Sequence, residues 1–211
     1  MNHVVLLGDS VFDNGGYLKP GEPDVLAQVQ AKLPDGWRTT MNAVDGAITT
    51  NVKRQLARLP EDASHLILSI GSSDALGCSA ILREGARSVA EVLTRIADTR
   101  DAFARGYRRM LDLVMSYRLP TALCTIHDGR FPEQESRRHV VASLSVFNDI
   151  ITREAFSRRL SLIDLRLICN QHDDYADPIE LSAKGGDKIA RAIAQVVAGS
   201  AASHRSQVYS E

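Results

Sequence analysis

Apolar residues fall in short runs that alternate with longer amphipathic stretches along the whole chain. Val4-Val5-Leu6-Leu7 stops abruptly at Gly8, so residues 3–7 read as a first buried strand. Pro23, followed by apolar Val25, Leu26, Val29 and Leu33, predicts a helix over 23–33 with proline in its first turn. Residues 37–44 predict a second strand and 48–58 a second helix. Residues 65–70 give the clearest strand after the first and end at Gly71. A long helical pattern covers 84–117, with Gly106 as an interruption or a close contact. Pro120 opens a fourth strand over 120–126, a helix follows over 134–158, and 161–165 read as the fifth strand. A loop spans 170–181, and Ser182 is placed to cap a closing helix that runs to Val197.

Five strands alternating with helices imply a parallel sheet covered on both faces and joined by right-handed crossovers. The chain has 211 residues and no internal repeat or linker, so the pattern predicts a single domain over 1–198. The small, polar stretch 199–211 reads as a flexible C-terminal tail.

Composition narrows the chemistry by exclusion. Lysine and arginine total 25 against 26 aspartates and glutamates, a net charge of −1, and aromatics are 5% of residues. That leaves neither a basic field nor a stacking platform for nucleic acid. Cys78, Cys124 and Cys169 have no disulfide or metal spacing, and the latter two fall in apolar runs where buried thiols are the ordinary outcome. The first apolar run is too short for a signal peptide, and no stretch approaches a membrane span. A reducing, cytoplasmic setting is expected, with no membrane and no metal or other cofactor; oligomeric state is left open. No Gly-x-Gly-x-x-Gly or Gly-x-x-x-x-Gly-Lys pattern points to nucleotide chemistry.

Four short blocks carry candidate chemistry, each at the C-terminal end of a strand or before a helix. Gly8-Asp9-Ser10 lifts a hydroxyl to the sheet edge where open α/β proteins bind ligands. Asp45-Gly46-Ala47 gives a glycine whose backbone N–H can approach a ligand closely. Gly71-Ser72-Ser73-Asp74 puts small polar side chains on the same edge. Asp177-Pro178-Ile179-Glu180 brings two carboxylates to one loop. Taken singly, each is also an ordinary turn or helix cap.

In this order the blocks resemble the GDSL or SGNH hydrolase family over roughly residues 3–195. The resemblance implies a three-layer α/β/α sandwich, flavodoxin-like, with a five-stranded parallel sheet of order 2-1-3-4-5. It implies a serine esterase or acylhydrolase cleaving a small-molecule ester, with Ser10 as nucleophile. The backbone N–H groups of Ser10 and Gly46, with Ser73, would form the oxyanion hole. Ser73 stands where the family has asparagine, and losing an oxyanion donor costs about 2.7–4 kcal/mol in a well-studied hydrolase. Asp177 matches the triad aspartate, but Glu180 stands where the family has histidine. Glutamate is a weaker base unless burial or a second carboxylate raises its pKa.

Two histidines are alternative bases: His127 after strand four, and His172 in the loop before Glu180. His3 and His65 open strands and belong at the opposite edge. Arg130 overhangs the proposed site, either to orient an anionic substrate or as a surface residue. The alternative to a carboxylate-assisted esterase is a catalytically impaired protein of the same fold that binds a small ligand or partner. Short loops favour small soluble esters.

Overall fold

The computed structural model describes residues 2–199. The tail expected over 199–211, with His204, lies outside the described residues from 200 onward. The five strands are β1 (His3–Gly8), β2 (Arg38–Met41), β3 (His65–Ser69), β4 (Thr121–Cys124) and β5 (Ser161–Ile163). All pair in parallel, in the order β2-β1-β3-β4-β5. The helices are α1 (Val25–Lys32), α2 (Val52–Leu56), α3 (Ser72–Gly77), α4 (Val89–Ser116), α5 (Gln134–Ser157), α6 (Leu165–Ile168) and α7 (Ala183–Val197).

Strand alternation divides the core in two. Val5, Leu7, Leu66, Leu68 and Leu123 face α2, α4 and α5. Val4, Leu6, Ile67, Ala122 and Ile163 face α1 and α7. Because both faces are covered, the central strands β1, β3 and β4 are mostly apolar and buried, while edge strand β2 (Arg38-Thr39-Thr40-Met41) has no buried residue. The result is the expected three-layer sandwich.

Helix length is mismatched to strand length. The 28 residues of α4 extend about 42 Å at about 1.5 Å per residue. The six residues of β1 reach only about 20 Å. Buried residues begin at Phe103 in α4 and at Phe147 in α5. The first halves of both helices therefore overhang the sheet at the C-terminal edge of the strands, where a crossover helix starts. Their second halves are tied together: Glu154 accepts from Arg108 at 2.6 Å and from Arg158 at 3.0 Å.

Several boundaries differ from those read in the sequence. The pattern over 84–117 is not one helix from its start, because Ser88 begins a new one by accepting from the Glu91 N–H at 3.1 Å. Ahead of it lie α3 and a 3-10 turn, Ser79–Arg83. Gly106 does not interrupt α4; a Cβ there would sit 3.7 Å from Thr49 Oγ1, so it marks a close contact. Helix 48–58 resolves into a 3-10 turn, Thr49–Asn51, and the short α2. The unanticipated α6 is capped by Asp164, which accepts from the Arg166 N–H at 3.1 Å. Ser182 does cap α7, accepting from Gly185. No helix among the described residues is long and apolar enough to cross a membrane.

Candidate active site

The chain leaves β1 for β2 on one side and returns to β3 on the other, so the ends of β1 and β3 flank the switch point of the sheet. Gly8 makes the exit from β1 possible. Its φ is +134°, and a Cβ would lie 1.7 Å from the Ser69 carbonyl oxygen. The Gln55 amide on α2 clamps this peptide from both ends: Gly8 N–H donates to Gln55 Oε1 at 2.8 Å, and Gln55 Nε2 donates to the Gly8 carbonyl at 2.7 Å. Asp9 N–H then donates to Ser69 O at 3.1 Å. The strand ends held in this way carry Ser10 at the edge of the site, 9% exposed.

The Ser10 hydroxyl and the Glu180 carboxylate line one cavity, near enough for the hydroxyl to favour the ionised carboxylate. Glu180 reaches the cavity from the loop ahead of α7. Asp177 Oδ1 accepts from the backbone N–H groups of Ile179 and Glu180, both at 2.8 Å, folding this loop into a tight turn. Ala176 N–H donates to Glu180 O at 2.9 Å, and Tyr175 and Leu181 form an antiparallel bridge. Burial raises the Glu180 pKa above the usual glutamate value; the Ser10 hydroxyl opposes this, and the Asp177 and Asp45 charges add to it. The serine thus faces a carboxylate made more basic by its surroundings. Asp177 acts on the loop backbone and on the local field rather than on Ser10.

Beside them lies a second carboxylate, Asp9, which is fully enclosed. Burial pushes its pKa up to about 7, against hydrogen bonds from Ser72 and Val11. Ser72 Oγ donates to Asp9 Oδ2 at 2.5 Å. Asp74 accepts from Thr49 N–H at 2.9 Å and Thr49 Oγ1 at 2.8 Å, so the turn after β3 is locked to the turn after β2. Gly46, with φ of +72°, and Ser73 line the same cavity as Ser10 and Glu180. Among the described residues none engages the backbone N–H of Ser10 or of Gly46. The cavity holds about 460 Å³.

Neither a family model nor a curated protein sequence matches the chain. Solved structures do. An extracellular lipase from Streptomyces rimosus superposes with a TM-score of 0.68 at 17% identity, covering 94% of this chain and 99% of that one. A carbohydrate acetylesterase from Sinorhizobium meliloti gives 0.67 at 14% identity, covering 94% and 99%. A member of the lipolytic G-D-S-L family from Veillonella parvula gives 0.66 at 12% identity, covering 95% and 98%. The fold is that of the GDSL hydrolases.

On this GDSL hydrolase fold the two alternative histidines part company. His127 is buried at the end of β4, lines the cavity and packs edge-on against Tyr175 with ring centroids 5.4 Å apart. Burial lowers its pKa to about 4, so it is neutral near pH 7, and its Nδ1 has no hydrogen-bond partner among the described residues. His172 is exposed, with Nδ1 3.9 Å from Asp173, and does not line the cavity. Arg130 is also turned away, donating its guanidinium to the Asn170 carbonyl, while its backbone N–H donates to Pro178 O at 2.7 Å. It braces the Glu180 loop and leaves the cavity without its charge.

Two contributors to this site were not singled out from sequence, and a third, Ser72, was read only as one of the small polar residues after β3. Gln55 clamps Gly8. Asn148 on α5 does the same at β4, accepting from Ile126 N–H at 2.8 Å and donating to Ile126 O at 2.9 Å. Ser72 binds Asp9. The available signal for the two amides was a polar residue at an inward position of an amphipathic helix.

Proposed function

We propose that the protein is a serine hydrolase of carboxylic esters in which Glu180 replaces histidine as the base. The observation that carries this reading is the placement of Ser10 and Glu180 on one cavity, with the Glu180 pKa raised by burial. Ser10 Oγ attacks the ester carbonyl as its proton passes to Glu180. The tetrahedral oxyanion is held by the Ser10 and Gly46 N–H groups and by the Ser73 hydroxyl. Collapse expels the alcohol, which takes the proton back from Glu180. Water then attacks the acyl carbonyl as its proton passes to Glu180, and collapse releases the acid as Ser10 Oγ takes that proton back. Asp177 positions Glu180 and raises its basicity through charge. A shared fold supports the ester-hydrolase class, and unpaired Cys78, Cys124 and Cys169 fit a reducing, cytoplasmic setting.

The test is hydrolysis of an activated ester by wild type, Ser10→Ala, Glu180→Gln and Glu180→His. Ser10→Ala is expected to lose on the order of 10⁴-fold or more in rate, and Glu180→Gln about 10²- to 10⁴-fold. Glu180→His is expected to keep or raise activity near pH 7. If wild type and Ser10→Ala do not differ, the protein binds rather than hydrolyses. Full activity in Glu180→Gln would move the base to neutral His127, to be checked with His127→Ala.

A further inference from the structure

We infer that the cavity beside Ser10 is an acyl-chain channel, and that the substrate is an uncharged ester with an acyl chain of about ten carbons. This rests on the hydrolase reading above for the reaction, but not for the channel. The overhanging first halves of α4 and α5 are its walls. Residues 89–102 and 134–146 include no buried position, because no sheet lies beneath them. The apolar stripe of each helix continues all the same: Val92 and Ile96 from α4, Val140 and Leu144 from α5, all lining the cavity. Leu76 and Leu82 line it from α3 and the 3-10 turn while 59% and 54% exposed. An apolar cleft kept open on a protein surface is the usual form of a ligand site.

Size and charge identify the occupant. A volume of 460 Å³ takes about fifteen water-sized groups at about 30 Å³ each, enough for an ester head and a chain of about ten carbons. The charged residues lining it are Asp45, Asp128 and Glu180, all acidic, with no Lys or Arg among the described lining residues. A phosphate or carboxylate head would find no cationic side chain among the described lining residues and three acidic ones. The short loops suggested small esters, but the room here comes from helices that outrun the sheet.

The test compares p-nitrophenyl decanoate with p-nitrophenyl acetate. Each buried methylene is worth about fourfold, so burying only about four of the eight extra methylenes already puts decanoate about a hundredfold or more ahead in kcat/KM. Ser143→Phe, which fills the cavity from α5, and Ile96→Thr, which makes one wall polar, should each cut the decanoate-to-acetate ratio by about tenfold. Matching thermal melts would show that both variants fold. Acetate hydrolysed as well as decanoate would overturn the channel and leave the serine hydrolase standing. If neither ester is cleaved faster than by Ser10→Ala, calorimetry with neutral decanamide decides. Binding weakened by Ser143→Phe keeps the channel without the hydrolase, and no binding overturns it.

Discussion

The two sides of the Ser10–Glu180 pair are built by different means. The serine side is an extension of the core: a glycine no other residue can replace, a buried amide across its peptide, and an enclosed carboxylate next in sequence. The glutamate side is a surface loop shaped by its own short-range bonds, chiefly those of Asp177. Position on the first side is set by long-range packing, and on the second by a few residues in sequence. The proton acceptor is therefore the exchangeable half of the pair, and the nucleophile is the half the fold cannot alter without damage.

Perturbations of the serine side should be the more severe. Gly8→Ala forces a Cβ into the Ser69 carbonyl, and we expect no cooperative thermal transition. Asp9→Asn has the opposite sign. The folded Asp9 carboxyl titrates at about 7 against 3.8 for the free group, so the folded state retains a proton that the unfolded chain releases between those values. Wild-type stability therefore falls as pH rises from about 4 to about 7, and Asp9→Asn should flatten that slope and be more stable above pH 7 by up to about 4 kcal/mol. Denaturant midpoints across this range read it directly, and an unchanged slope would contradict it. Gln55→Ala leaves the Gly8 N–H buried without its acceptor, while the Gly8 carbonyl keeps the Val44 N–H, and is expected to cost about 2 kcal/mol with a lower melting temperature.

Perturbations of the glutamate side should be milder. The base must be ionised, so ester hydrolysis should decline with falling pH at a point above the ordinary glutamate range. Asp177→Ala removes a negative charge and two loop hydrogen bonds. Its acid limb should move to lower pH, with a loss of global stability of only about 1 kcal/mol. A stability loss as large as that of Gln55→Ala would erase the contrast between the two sides.

The sandwich was legible because β1 and β3 are apolar runs ended by a glycine or loop, and the long crossover helices have apolar faces, whereas edge strand β2 (Arg38-Thr39-Thr40-Met41) carries little apolar signal. Strand order followed from the family resemblance rather than from periodicity. Ser10, Gly46, Ser73 and Glu180 share one cavity, as their places at strand ends and before α7 suggested. Gln55 and Asn148 were hidden, because a buried amide on a helix resembles any polar surface residue until the peptide it clamps is known. His127 and His172 were indistinguishable for a similar reason: burial depends on how a loop turns, and the bonds that turn this one involve Asp177, Pro178 and Arg130. The overhang of α4 and α5 was out of reach, since helix length is readable but the point where the sheet stops beneath it is not.

That overhang separates two kinds of selection. Residues such as Val92, Ile96 and Val140 belong to helices whose folding is secured further along, at Phe103 to Val114 and Phe147 to Ala155. They can be exchanged one at a time with little effect on the core. A lineage carrying this scaffold is free to retune what it accepts by ordinary drift, while the part that holds it together stays fixed.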